Sequence, residues 1–128
     1  MSSNALMYDI RQEDVKIIQE VYDAFISSHK RNSIQTATNY DTRIKEFFKL
    51  ITGKEIKFLS VKDIQDIKNK DVQLRYVDSL LENNNTHNTI KTKLNSVKSF
   101  YDMLLSNNVQ VNPMVLKVNL KINVKHHK

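Results

Sequence analysis

Apolar residues recur at intervals of three and four along most of this chain, the signature of helices that each bury one face. From Glu13 to His29 the set Val15, Ile18, Val21, Tyr22 and Phe25 keeps that spacing. Glu13 and Asp14 suit the positive N-terminal end of such a helix, and His29, Lys30 and Arg31 suit its negative C-terminal end. A second helix is predicted from a Ser33 N-cap to about Thr52, with Ile34, Ala37, Tyr40, Ile44, Phe47 and Ile51 as its buried stripe and Phe48 beside it. Gly53 is its natural stop, because glycine accepts the left-handed conformation that ends many helices.

Ser60 opens a third helical stretch, with Asp63 placed to complete a capping box and Val61, Ile64 and Ile67 at helical spacing. The polar run Lys68–Asp71 interrupts it. Leu74, Val77, Leu80 and Leu81 then supply the stripe of a piece over Val72–Leu81, and the pattern fits one helix or two. After the loop Asn83, Asn84 and Asn85, Thr86 caps a further helix reaching about Asn107, with Ile90, Leu94, Val97, Tyr101 and Leu104 in its core stripe. Asn107 and Asn108 form a turn, since asparagine tolerates positive φ. Beyond Asn112-Pro113 the period changes to two: Val118, Leu120, Ile122 and Val124 alternate with polar residues. That pattern predicts an extended tail, read as a linker or as a strand edge awaiting a partner. Residues 1–12 show no clear periodicity and are expected to be a flexible leader, leaving 13–113 as the folded domain and 114–128 as the tail.

Composition agrees with an all-α domain. The 128 residues suffice for a single core, and one glycine and one proline leave few sites for tight hairpins. The absence of cysteine excludes disulfides, thiolate metal sites and thiol nucleophiles. His29, His87, His126 and His127 lack metal-site spacing, no HExxH motif occurs, and one glycine permits no glycine-rich phosphate loop. Tyr22, Tyr40, Tyr76 and Tyr101 fall on or near apolar stripes, where packing explains them. Glu13/Asp14 and Asp63/Asp66 lie at helix starts, where compensation of the helix dipole accounts for them. No cofactor, metal or small-molecule substrate is therefore expected. No apolar run approaches the roughly 18 residues that span a bilayer, and no signal core follows the N-terminus. The chain reads as soluble and cytoplasmic, with no membrane partner.

Charge distribution adds the first functional signal. Met1–Glu82 holds 13 Lys and Arg against 13 Asp and Glu, whereas Asn83–Lys128 holds seven lysines against one acid, Asp102. The whole net charge of +6 thus sits in the last third, a one-sided field that attracts polyanions. On the helix after Thr86, Asn88, Thr92, Asn95 and Ser99 lie opposite the core stripe, with Lys91 and Lys98 on one flank and Lys93 on the other. No acid occurs between Thr86 and Tyr101. Lysines at the margins can neutralise phosphates, while Asn and Thr reach base edges or backbone oxygens. Thr86 and Thr89 stand at the helix start, where free amides also favour a phosphate. The second helix carries a lesser version, Thr36, Thr38, Asn39 and Arg43, offset by Asp41 and Glu46.

The order Thr36–Tyr40, Ile44, Phe47-Phe48, Gly53-Lys54, Leu59-Ser60-Val61 with Asp63-Ile64, Thr89-Ile90 with Leu94, Phe100-Tyr101 and Asn112-Pro113 resembles the core-binding domain of tyrosine recombinases, the phage-type integrases and their relatives. The likeness covers roughly Glu13 to Pro113, and the ordered set rather than any one piece carries it. It implies a compact orthogonal SAM-like bundle of four to five helices forming half of a clamp around double-stranded DNA, with other recombinase protomers as partners on that DNA. It further implies that the second and fourth helices face the DNA. Here those faces carry Thr36, Asn39 and Arg43, and Asn88, Thr89, Lys91, Thr92, Lys93, Asn95, Ser96 and Lys98. The resemblance casts 114–128 as a linker toward a catalytic domain whose residues have no room after Pro113, so this chain is expected to bind DNA without cleaving it. A competing reading is a helical protein-interaction adaptor that uses the alternating tail as a sticky edge.

Overall fold

The computed structural model describes the backbone of residues 2–120 and the side chains of residues 12–120. Five helices account for its regular structure: α1 (Ser2–Lys30), α2 (Ile34–Thr52), α3 (Val61–Gln65), α4 (residues 69–82) and α5 (His87–Ser106). Short 3-10 turns, Ile56–Phe58 and Pro113–Leu116, complete it. Among the described residues there is no strand, and no helix is long and apolar enough to cross a membrane.

The helix boundaries follow from local chemistry. The Ser33 side chain accepts the Thr36 amide at 3.2 Å, and Thr86 accepts the Thr89 amide at 3.1 Å. Each satisfies one of the amides that a helix start leaves without a partner. Gly53 ends α2 at φ 76°, its N–H bonding the Lys49 carbonyl at 2.9 Å. At α3 the capping box is complete: the Asp63 amide donates to Ser60 Oγ and the Ser60 amide to Asp63 Oδ2, each at 3.0 Å. Burial alone would raise the Asp63 pKa, but the Lys54 ammonium at 2.8 Å and the Ser60 amide outweigh it and hold the carboxyl below its usual range. Asn84 and Asn108 take positive φ in the turns after α4 and α5.

The stripes converge on one core. Ile18, Tyr22 and Phe25 of α1, Ile44, Phe47 and Phe48 of α2, Val72 and Tyr76 of α4, and Ile90, Phe100, Tyr101 and Leu104 of α5 are all buried. Aromatic edges tie the helices together. Phe100 meets Tyr22 at 5.4 Å and Phe25 at 5.6 Å between ring centroids, and Phe47 meets Tyr76 at 4.9 Å. Arg75 of α4 donates to the Ile51 carbonyl at 3.0 Å, satisfying an acceptor in the last turn of α2.

Three expectations change, and one left open is decided. Ile34 is 73% exposed, because it occupies the first position of α2, at the margin of the stripe. Leu74 is 63% exposed although its spacing predicted burial. Residues Val72–Val77 of α4 adopt π-helical geometry, in which the Asp78 amide reaches back to the Gln73 carbonyl. The wider turn rotates less per residue, so Val72, Tyr76 and Val77 face the core and Leu74 turns outward. The third helical stretch, whose pattern fitted one helix or two, is two helices, separated at Asp66–Lys68. Finally, α1 starts at Ser2, well before the expected Glu13. Extending a formed helix adds one hydrogen bond per residue and needs no apolar stripe, which is why periodicity did not reveal it.

The segment after Asn112 begins packed against the domain. Leu116 is buried, and the Asn69 side-chain amide donates to the Val115 and Lys117 carbonyls at 2.9 and 2.7 Å. Val118 and Leu120 pack partly against the core with no strand partner, whereas Ile122 and Val124 lie outside the described residues.

Candidate nucleic-acid interface

Helices α2 and α5 run side by side, and their paired flanks bring together residues about fifty positions apart. Arg43 Nη1 donates to Ser96 Oγ at 3.1 Å, and Lys93 Nζ to Glu46 Oε1 at 3.0 Å. Above these contacts opens a cleft of about 220 Å³ lined by Arg43, Asn88, Thr89, Thr92 and Lys93. Two cations, two hydroxyls and one amide line it, with no carboxylate among them. An arginine has five N–H donors in a fixed fork, so one bond to Ser96 leaves the others for an anion.

Of the eleven residues expected to face a ligand, these five meet in one place. Lys91 and Asn95 are exposed on the same helix, and Lys91 makes no ion pair among the described residues. Lys98 is exposed and pairs with Asp102 at 3.2 Å, a solvent-screened contact of little strength. Thr36 is exposed at the start of α2, and Asn39 is half-buried and accepts a bond from Gln35 at 3.2 Å. Ser96 departs from expectation. It is only 4% exposed, accepts from Arg43 and donates to the Thr92 carbonyl at 3.3 Å. It therefore aims Arg43 and does not itself face solvent. Position 96 of α5 lies against α2, a neighbour that periodicity within one helix does not reveal.

Sequence reasoning missed the acid and amide that hold Lys93. Glu46 entered only as a charge offsetting Arg43, and Asn85 only as loop. The structure makes both into partners of Lys93, Asn85 Oδ1 accepting at 3.3 Å. Their signal is tertiary: the 47-residue separation of Glu46 and Lys93 leaves no local trace.

A larger recess of about 790 Å³ lies on the other flank of α2, against α1 and the first 3-10 turn. Its lining mixes Lys30, Lys45, Lys49 and Lys57 with Asp23, Asp41 and Glu55, and includes Tyr22, whose hydroxyl donates to Asp41. Carboxylates interspersed at that density oppose a polyanion, so size does not make it the better nucleic-acid surface. Burial, and then Asp41, push the Tyr22 hydroxyl far above its usual pKa. Tyr76 and Tyr101 are likewise raised, chiefly by burial. No group of side chains suited to a metal ion occurs among the described residues.

No solved structure matches this chain at a significant level. Among curated proteins, it is 35% identical over 77 residues to the SPbeta prophage-derived probable integrase/recombinase YopP of Bacillus subtilis (strain 168). That stretch is 60% of this chain but only 21% of the relative. The ordered motifs, the five-helix architecture and this similarity agree with a match of residues 20–108 to the family of phage integrase N-terminal SAM-like domains, and the chain belongs to that family.

Proposed function

We propose that this chain is the DNA-gripping module of a phage-type site-specific tyrosine recombinase, and that it holds duplex DNA through the face shared by α2 and α5. The observation that carries this reading is the acid-free cleft, where Arg43 joins Asn88, Thr89, Thr92 and Lys93. Lys91 and Lys98 extend the positive surface along α5, with Asn95 between them. The cations bind phosphates and set position, while Asn88, Thr92 and Asn95 are of the types that read base edges or sugar-phosphate oxygens. In this reading the protein works in the cytoplasm alongside other recombinase protomers on the same DNA, and the segment from Met114 leads toward a catalytic domain.

The same reading gives the chain no part in breaking or joining strands. Tyr22, Tyr76 and Tyr101 are buried in the core with their hydroxyls held protonated, and Tyr40 is half-buried and stacks on His29 at 4.2 Å between centroids. None of these four described tyrosines is presented to a phosphodiester.

Fluorescence anisotropy with a labelled duplex tests the proposal. A protein using two to four cations on phosphates displaces about 0.9 counterions for each, so log K should fall against log salt with a slope of roughly −2 to −4. A fourfold rise in salt then weakens binding roughly 16- to 250-fold. Binding that ignores salt, or no binding at low salt, rejects the reading.

A further inference from the structure

Lys93 lines the cleft but is not free in it. Its side chain is 20% exposed, and two of the three ammonium donors are committed, one to Glu46 and one to Asn85. Glu46 itself is 35% exposed and stands on α2 one turn beyond Arg43. Among the described residues it is the carboxylate that forms an ion pair with a cation lining the cleft. A phosphate entering there meets Arg43, which is held by a neutral serine, and Lys93, which is already neutralised by an acid.

The geometry points to Glu46 as a built-in brake on this DNA contact, a residue that makes phosphate compete for Lys93. The inference rests on the proposed DNA-binding reading and adds a specificity element to it. With Glu46 present, a phosphate placed loosely over the cleft gains little from Lys93, because the ammonium remains paired and the carboxylate repels the newcomer. A phosphate seated between the Arg43 fork and the Thr89 and Thr92 hydroxyls comes close enough to draw Lys93 away. The brake therefore penalises indiscriminate electrostatic contact more than it penalises a duplex docked in register. Nothing covalent is involved; one ion pair is exchanged for another.

Asp102 provides an internal control. It stands on α5 and pairs with Lys98 at a similar distance, 3.2 Å, but both partners of that pair are 54% exposed. Neutralising either acid raises the net charge by the same amount. Only Glu46 neutralisation should release a cation that is held within the cleft.

The test measures duplex affinity of the wild-type chain, Glu46→Gln and Asp102→Asn across a salt series, with circular dichroism to verify that each is folded. Glu46→Gln should bind an arbitrary labelled duplex roughly tenfold more tightly at low salt, the scale of one unscreened charge a few ångströms away. Its salt slope should steepen by about 0.9, one further phosphate neutralised. Asp102→Asn should change affinity less than twofold. Equal gains from the two variants overturn the brake while leaving DNA binding intact, and so does an unchanged Glu46→Gln. Failure of all three proteins to bind at low salt overturns the DNA reading itself, and the brake with it.

Discussion

Replacing Arg43, Lys91 and Lys93 together with glutamine is expected to lower duplex affinity by about a hundredfold or more at low salt, since each removes a charge-assisted contact. The salt slope should become shallower by about 2, because the phosphates held by Arg43 and Lys91 are no longer neutralised, whereas Lys93 is paired with Glu46 in the wild type. The fold should survive. Ser96 keeps its bond to the Thr92 carbonyl, a glutamine at 93 can still donate to Glu46, and position 91 is exposed with no ion pair among the described residues. Anisotropy titrations alongside thermal melts separate the two effects. An unchanged affinity in a folded triple variant would place the DNA surface elsewhere.

The second large effect is on stability. Phe100 is fully buried behind the exposed face of α5, its ring against Tyr22 and Phe25 of α1 and Phe48 of α2. Phe100→Ala removes a ring where three helices meet and leaves a cavity, costing about 3–5 kcal/mol. Since a domain holds only about 5–15 kcal/mol in total, most of the margin is lost. The melting temperature should fall by roughly 10–20 °C. A shift within 2 °C would mean that this aromatic cluster is not the keystone of the bundle. Below its melting point the variant should still bind DNA, because no atom of the proposed surface has changed.

The sequence carried the limits of α2 and the starts of α3 and α5 well because caps are local, whereas the start of α1 was missed. Ser33, Gly53, Ser60 and Thr86 each act within four residues, so residue type and spacing suffice to place them. Apolar periodicity assigned the faces of α1, α2 and α5 for the same reason. It misjudged Leu74, where π geometry alters the angle per residue. It also gave no hint that Asn69 would fasten the segment after Pro113 through two backbone carbonyls, 46 and 48 residues away.

The candidate interface divides along the same line. The polar face of α5 and its missing acids were legible, since both are properties of one helix. The cleft was not, because it depends on which flank of α2 lies beside α5. That pairing buries Ser96, turns Glu46 from a nuisance charge into the partner of Lys93, and joins Arg43 to the threonines. The resemblance to tyrosine recombinases supplied the pairing of helices, and the packing supplied the chemistry between them.

The most direct measurement is an NMR titration of the isotopically labelled chain with a short duplex, following backbone amides and the Arg43 side chain. The α2–α5 account predicts that the largest shifts gather at Arg43, Asn88, Thr89, Lys91, Thr92 and Lys93 and fade as salt is added. Shifts centred instead on Tyr22, Lys45, Lys49 and Lys57, with the α2–α5 cleft silent, would contradict it.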